Sequence, residues 1–398
     1  MTNISSPFTK NELIPQEERI EITQLKKEFI IGIPKEIDIN ENRICLSPDS
    51  VHSLVTNGFK IYIESGAGIR SNYTDLEFSE VGAKIVKNKK ELFKCPIILK
   101  ISPPSISELK MISSRTILIS TLQLNRHELN YFNEIKNKKL TSIALEYIRE
   151  EDNSFPVAKQ LNEITGQASV LISAELMAKT LNSNGKGLLL GNLSGVKPIE
   201  IVIIGSNTIA SSAIKTAIGL GASVKVFSNS IFQLSNIQKK YSQPIFTSTI
   251  QAKQLTKALM RSDIVIGTIN LIDSPIVTKD MVLKMKEGSI IIDLSIENGK
   301  CFETSKLTTH VKPTFKKFGV THYCVPNIPS RYSRTASLCL SNVITPLILK
   351  SKLYGSFENF IRHNNSLKNG IYSFNGDITN TEISELHGLN YVNINNLI

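Results

Sequence analysis

Gly205-Ser-Asn207-Thr-Ile-Ala210 combines residue types and a spacing that can do chemistry. The segment follows the apolar run Ile201 to Ile204. Small and apolar residues come after it at helical spacing: Ala210, Ala213, Ala217 and Leu220. A glycine closing a buried strand and small residues opening a helix gather backbone amides at the positive end of that helix, which holds phosphate. The pattern predicts the βαβ opening of a dinucleotide-binding unit, with Gly205, Ser206, Asn207, Thr208, Ile209 and Ala210 at the pyrophosphate. Two positions depart from the usual G-x-G-x-x-G/A unit. Asn207 stands where a middle glycine would let the backbone approach the phosphates. Ser228 stands where an acid at the end of the second strand would bond the adenosine ribose. Gly205 and Ala210 keep the turn and the close helix packing, so the fold is expected intact and the dinucleotide affinity weakened.

The elements around this turn have a regular order. Gly221 ends the helix, and Val224, Val226 and Phe227 begin the second strand. Residues 263–268 and 289–294 are further apolar runs of the kind buried on both faces of a parallel sheet. An earlier unit, over about residues 28–155, alternates strands and helices, which predicts a parallel α/β sheet. Its strands are expected at 29–34, 60–64, 84–86, 97–101, 116–122 and 140–145. One helix is capped by Ser47 or Asp49 and runs to about Asn57, with Pro48 in its first turn. Another covers residues 74–81. Residues 156–181 are long, helical and rich in small residues, a connector between units. Residues 335–352 are helical again, so the chain is expected to return to the first unit there. Beyond Leu353 it is polar and Asn-rich, with order expected only at 371–374 and 389–398.

Composition excludes several classes. The chain has 398 residues, 41% hydrophobic and 20% charged, with a net charge of +11. That is an ordinary globular composition, long enough for two or three domains. The Lys and Arg residues are scattered, with no basic helix, RNP-like strand or Cys/His finger, so no nucleic-acid partner is expected. Cys45, Cys95, Cys301, Cys324 and Cys339 are odd in number and lack CxxC spacing. They are expected as free, mostly buried thiols in a reducing compartment. No metal-ligand spacing occurs, and His322 is expected as a satisfied core histidine. No run approaches the ~18 apolar residues of a membrane span. The N-terminus lacks the basic-then-apolar layout of a signal peptide, so a cytoplasmic location is expected.

Taken together, several stretches resemble the alanine dehydrogenase family, which shares its fold with the NAD-binding subunit of proton-translocating NAD(P) transhydrogenase. They are Gly32-Ile-Pro-Lys-Glu36, Glu41-Asn-Arg-Ile-Cys-Leu-Ser-Pro48, Gly66-Ala-Gly68, Ile98-Leu-Lys100, the 205–221 segment, Ile292-Asp-Leu-Ser-Ile-Glu-Asn-Gly299 and Tyr323-Cys-Val-Pro-Asn327-Ile-Pro329. Each is weak alone; in this order, over about residues 28–350, they are specific. The match is to a longer branch with an N-terminal arm. The resemblance implies two Rossmann-like, doubly wound α/β domains. Residues 1–27 form the arm, 28–160 with 335–398 a substrate domain, and 161–334 an inserted NAD-binding domain. It also implies NAD-dependent oxidative deamination of L-alanine to pyruvate and ammonia, and a homo-oligomer, often a hexamer.

Residue roles follow from the same resemblance. Arg43 matches a cation that grips the substrate carboxylate, for which a guanidinium is geometrically suited. Lys100 matches an electrophilic donor to the pyruvate carbonyl. Read without the family, Arg43 is a loop surface charge and Lys100 a snorkelling strand-end lysine. Gln123 stands where the family commonly has histidine; it can hydrogen-bond a carbonyl but carries no proton near neutral pH. Glu297 stands where the family has a catalytic aspartate, one methylene longer. Asn162 stands where the family usually has a serine that touches the cofactor, and Asn327 lies on a loop expected near the nicotinamide. Arg331, Ser333 and Arg334 are polar enough to meet substrate or a neighbouring subunit. Two alternatives stay open: a fold-retaining, cofactor-impaired binding or assembly protein, and a transhydrogenase-like or NADP-using relative.

Overall fold

The structure, a computed structural model, describes residues 29–180, 183–269 and 275–398. The arm expected over residues 1–27 lies outside them. Two sheets organise the chain. The first has eight strands in the order Asp377–Ile378, Ile371–Phe374, Thr141–Ala144, Ile117–Ser120, Ile97–Leu99, Ile30–Ile33, Lys60–Glu64 and Lys84–Val86. The second has seven: Phe246–Ser248, Ser223–Phe227, Glu200–Ile204, Ile264–Gly267, Ile290–Asp293, Val320–Tyr323 and Thr314–Lys317. In each sheet the first strand of the unit sits centrally, with its second and third strands to one side and its fourth and fifth to the other. That is the doubly wound order, and its switch point opens a crevice at the C-terminal strand ends.

The apolar runs account for this. Every residue of Glu200–Ile204, Ile264–Gly267 and Ile290–Asp293 is buried, as strands covered on both faces require. Glycine is required where layers touch. A Cβ on Gly166 would meet Ile209 O at 2.3 Å, so this glycine lets the connecting helix Pro156–Met177 lie against the helix Thr208–Gly219. The helix Pro48–Thr56 starts where the sequence places it, with Ser47 Oγ accepting from Ser50 N at 3.4 Å.

Two expectations need correction. The sheets are mixed rather than wholly parallel: Ile371–Phe374 runs antiparallel to Thr141–Ala144, and Thr314–Lys317 antiparallel to Val320–Tyr323. The segment after Leu353 is more ordered than its Asn-rich composition predicts. It holds the helices Phe357–His363 and Thr381–His387, whose Phe357, Phe360, Ile361 and Ile383 are buried. A few apolar anchors at helical spacing suffice when a preformed sheet edge receives them. The chain returns through the helix Ser333–Ser351, which packs on the connecting helix and on Pro48–Thr56. No helix among the described residues is long and apolar enough to cross a membrane.

Candidate active site

A polar cavity of about 590 Å³ opens at the switch point of the first sheet, and loops that follow the strands Ile290–Asp293 and Val320–Tyr323 of the second sheet wall its other side. Its first-domain wall includes Glu41, Arg43, Ser102, Gln123, Arg126 and Glu146, and its second-domain wall Glu297, Thr308, Val325 and Asn327. Arg43 sits on the loop between the strand Ile30–Ile33 and the helix Pro48–Thr56, only 6% exposed. Glu41 grips it twice: Arg43 Nε donates to Glu41 Oε1 at 2.7 Å, and its terminal NH2 group to Glu41 Oε2 at 2.6 Å. Burial alone would lower the Arg43 pKa; the Glu41 carboxylate outweighs it, so the cation is held more firmly than usual. A carboxylate on one edge of a guanidinium leaves the other edge free for a second carboxylate.

Glu41 also reaches across the domains. Asn327 Nδ2 donates to Glu41 Oε2 at 3.1 Å and to Asn40 O at 3.3 Å. Asn327 has left-handed backbone, φ 51°, which asparagine tolerates at small cost and which opens the turn Ile328–Tyr332. Ser330 Oγ donates to Asn40 O at 2.6 Å and accepts from Asn42 N at 2.9 Å. The loop carrying Arg43 is thus laced to the loop carrying Asn327.

Glu297 lies on the short turn Ile296–Asn298 after the strand Ile290–Asp293. Its Oε1 accepts from Arg126 at 3.3 Å, and Arg126 lies 3.7 Å from Asp38. This pairing forms a half-exposed rim, also bridging the domains. Gln123 has φ 48°, and its Nε2 donates to Thr121 Oγ1 at 3.2 Å. Gln123 Oε1 is buried and makes no hydrogen bond.

Lys100 is placed differently from the other expected groups. It follows the strand Ile97–Leu99, is 1% exposed, and lines an adjoining cavity of about 630 Å³. That cavity shares Asp38, Ser102, Gln123 and Arg126 with the first. Lys100 Nζ lies 3.3 Å from Glu108 Oε2 and 3.5 Å from Glu36 Oε2. Burial raises the Glu36 pKa, against the pull of Lys100. Glu36 also accepts from Ile101 N at 2.6 Å and Ser102 N at 3.4 Å, fixing the loop that forms the shared wall.

The glycine turn lies at the second switch point. Gly205 has φ 128°, and a Cβ there would meet Thr268 Oγ1 at 2.0 Å, so only glycine fits. Asn207 is unstrained, at φ −76°. It caps the helix Thr208–Gly219: its Oδ1 accepts from Ala210 N at 3.0 Å and its Nδ2 donates to Thr268 O at 2.8 Å. The cap takes one first-turn amide, while those of Thr208 and Ile209 lie ahead of the helical ladder, where an anion is held. Ser206 and Ser228 join Oγ to Oγ at 2.7 Å, and Ser206 also bonds Gln233 Oε1. A hydroxyl network therefore stands where the ribose acid was expected. The residues present fit a dinucleotide: turn, helix end and hydroxyl partners are all in place. Asn162 is half-buried in the connecting helix and lines neither cavity.

Other singled-out residues tie the chain together. Arg331 pairs with Glu175 at 2.7 Å, Ser333 Oγ donates to Arg70 O at 2.8 Å, and Arg334 stacks 4.3 Å over the Tyr73 ring. His322 is a satisfied core residue, between Thr304 Oγ1 at 2.8 Å and Val320 O at 3.1 Å. Sequence reasoning missed Glu41, Arg126 and Glu146 as parts of the site. Glu41 lay inside a quoted motif, two residues from Arg43, and that spacing was the one available signal. Arg126 and Glu146 carried none: Arg126 meets Glu297 only where the two sheets' loops approach, and Glu146 meets Gln123 because Thr141–Ala144 pairs with Ile117–Ser120.

Two doubly wound domains with a polar cavity lined from both define a two-domain Rossmann-type enzyme. Comparison with known proteins specifies it. Residues 32–165 match the alanine dehydrogenase/PNT N-terminal domain, and residues 169–381 the alanine dehydrogenase/PNT C-terminal domain. An alanine dehydrogenase of Methanococcus maripaludis is 34% identical over 368 residues, covering 91% of this chain and 98% of its own. One from Staphylococcus epidermidis is 34% identical, covering 92% and 98%. A solved L-alanine dehydrogenase superposes with a TM-score of 0.82 at 29% identity, over 90% of this chain and 98% of its own. A transhydrogenase of Sinorhizobium meliloti shares the fold, with a TM-score of 0.73 at 23% identity. The chain belongs to the alanine dehydrogenase/PNT family.

Proposed function

We propose that this protein is an NAD-dependent oxidoreductase of the alanine dehydrogenase type, interconverting L-alanine and water with pyruvate and ammonia. The carrying observation is the convergence of Arg43, Gln123, Glu297 and Asn327, from four loops and two domains, on one cavity. The relatives' named activity supports the same reading. Bound NAD supplies the acceptor for the hydride. The 205–210 turn would hold its pyrophosphate, the hydroxyls of Ser228 and Ser206 its ribose, and the Asn327 loop would face its nicotinamide.

The chain's own residues then do the following. Arg43 binds the substrate carboxylate on the guanidinium edge that Glu41 leaves free. Gln123 Oε1, buried and unpartnered on a residue that lines the cavity, accepts from the substrate nitrogen. Arg126 and Glu297 close the rim and exclude water when the domains approach, a gating role common to two-domain enzymes. Lys100 presents its charge to the adjoining cavity, and in this reading stabilises a developing oxyanion across the shared wall of Ser102 and Gln123. In keeping with the family, the reading includes a cytoplasmic location and a homo-oligomer, hexameric by resemblance.

The test has two stages: binding of NAD(H) and NADP(H), then alanine-dependent NAD reduction at alkaline pH. Binding of neither dinucleotide would leave the cofactor-impaired assembly protein, a reading that the Asn207 cap on Ala210 N favours. Preference for NADP would need a cation beside Ser228, and Lys225 is spent on Glu200 at 3.1 Å. An unchanged kcat in Lys100→Ala would remove Lys100 from the catalytic set.

A further inference from the structure

Deamination through an imine needs a group in the cavity that gives and takes a proton, and Gln123 cannot. Most of the charged and titratable lining of the cavity is committed elsewhere. Arg43 and Glu41 are committed to each other. Glu297 and Asp38 face Arg126 at the exposed rim. His127, in the adjoining cavity, bonds Leu122 O at 2.8 Å and stacks on Tyr131 with centroids 3.8 Å apart. Glu382, on the helix Thr381–His387, is exposed to solvent, and Tyr147 is a phenol that burial holds above its usual range. The remaining group is Glu146, on the short turn Leu145–Tyr147 that ends the strand Thr141–Ala144.

Glu146 is built for the task. Its Oε1 is fixed by Leu122 N at 2.8 Å and Gln123 N at 3.3 Å, beside the glutamine that replaces the family's titrating residue. Its Oε2 is buried without a hydrogen-bond partner, although the residue lines the cavity. The titratable groups that feel its charge are the phenols of Tyr131, Tyr372 and Tyr147. Resting on the dehydrogenase reading above, we propose that Glu146 Oε2 is the proton carrier of the cavity. Once the hydride has left Cα, water attacks the iminium carbon. Glu146 takes a proton from that water as the C–O bond forms. It returns the proton to nitrogen as the C–N bond breaks, so the electron pair leaves with ammonia. The carbinol hydroxyl then gives its proton to Glu146 as the carbonyl forms. Burial, opposed by the amides of its own turn and of Leu122 and Gln123, raises its pKa, moving a carboxyl toward the range where it exchanges protons with an amine.

Glu146→Gln tests this, because the amide oxygen can still accept from Leu122 and Gln123. Expected are a fall in kcat of about 10²–10⁴-fold, loss of the acidic limb of the kcat–pH profile, and unchanged pyruvate and NADH binding. A variant that keeps both kcat and the acidic limb overturns the proposal. A wild type that turns over no amino acid defeats the dehydrogenase reading instead. The carboxyl is then followed directly, by the protonated-carboxyl infrared band in wild type minus Glu146→Gln across pH. A band persisting above the usual glutamate range supports the assignment, and titration in the ordinary range overturns it.

Discussion

Glu41→Gln is the perturbation that reads the site most directly. Four donors converge on this buried carboxylate. Arg43 N, at 3.0 Å, and Arg43 Nε meet Oε1; the Arg43 terminal NH2 group and Asn327 Nδ2 meet Oε2. A glutamine offers one oxygen and one NH2. Whichever way the amide turns, two donors face a donor, and a fully buried guanidinium loses its counter-charge. Breaking a buried pair by removing one partner costs about 3–5 kcal/mol. For domains of this size that corresponds to a fall in Tm of roughly 6–20 °C. The same change frees Arg43 and loosens the Asn327 loop, so the KM for alanine rises and the affinity for NADH falls together. Scanning calorimetry and initial-rate kinetics on the purified variant measure both. A Tm within about 2 °C of wild type, less than 1 kcal/mol on that scale, with an unchanged KM, would refute the reasoning.

Three other expectations follow from the same geometry. Gly205→Ala places a methyl 2.0 Å from Thr268 Oγ1 at φ 128°, so dinucleotide binding is lost and the second domain melts earlier, as calorimetry would register. Ser228→Asp restores an acid beside Ser206 and sharpens NAD over NADP preference by about tenfold, the worth of one charge-assisted hydrogen bond. Fluorescence titration with both reduced dinucleotides measures the ratio. Asp263 has its pKa lowered. Burial would raise it, but Glu200 N at 3.2 Å, Lys286 at 3.1 Å and Lys186 at 3.3 Å prevail. A depressed folded-state pKa stabilises above the usual aspartate range, and that stability is lost as pH falls through the folded value. Asp263→Asn is therefore less stable than wild type at neutral pH, and the gap closes in acid, as paired denaturant titrations at the two pH values report.

Much of the architecture was legible because it follows from local rules. Apolar runs such as 201–204, 264–266 and 290–292 can only be strands buried on both faces. Ser47-Pro48 and Thr74 announce helix starts, and Gly205 announces the turn that closes its strand. The order of these pieces fixed the family. Composition misled where a few anchors outweighed a polar background, as at Phe357, Phe360 and Ile383. It could not reveal that Ile371–Phe374 pairs antiparallel with Thr141–Ala144, since pairing partners are set by the sheet edge left open.

Chemistry divides along the same line. The sequence by itself determined the residue types: a guanidinium at 43, an amide at 123, a carboxylate at 297, an asparagine cap at 207 and a hydroxyl at 228. Tertiary structure decided their company. It turned Asn207 from a blocked glycine into a helix cap, enclosed Lys100 between Glu36 and Glu108, and joined Arg43 to Asn327 through Glu41. It also brought Glu146 to the cavity beside Gln123. The physical reason is that a side chain's charge and reach belong to the residue, whereas its desolvation and its partners belong to loops that meet only when two sheets fold around their switch points.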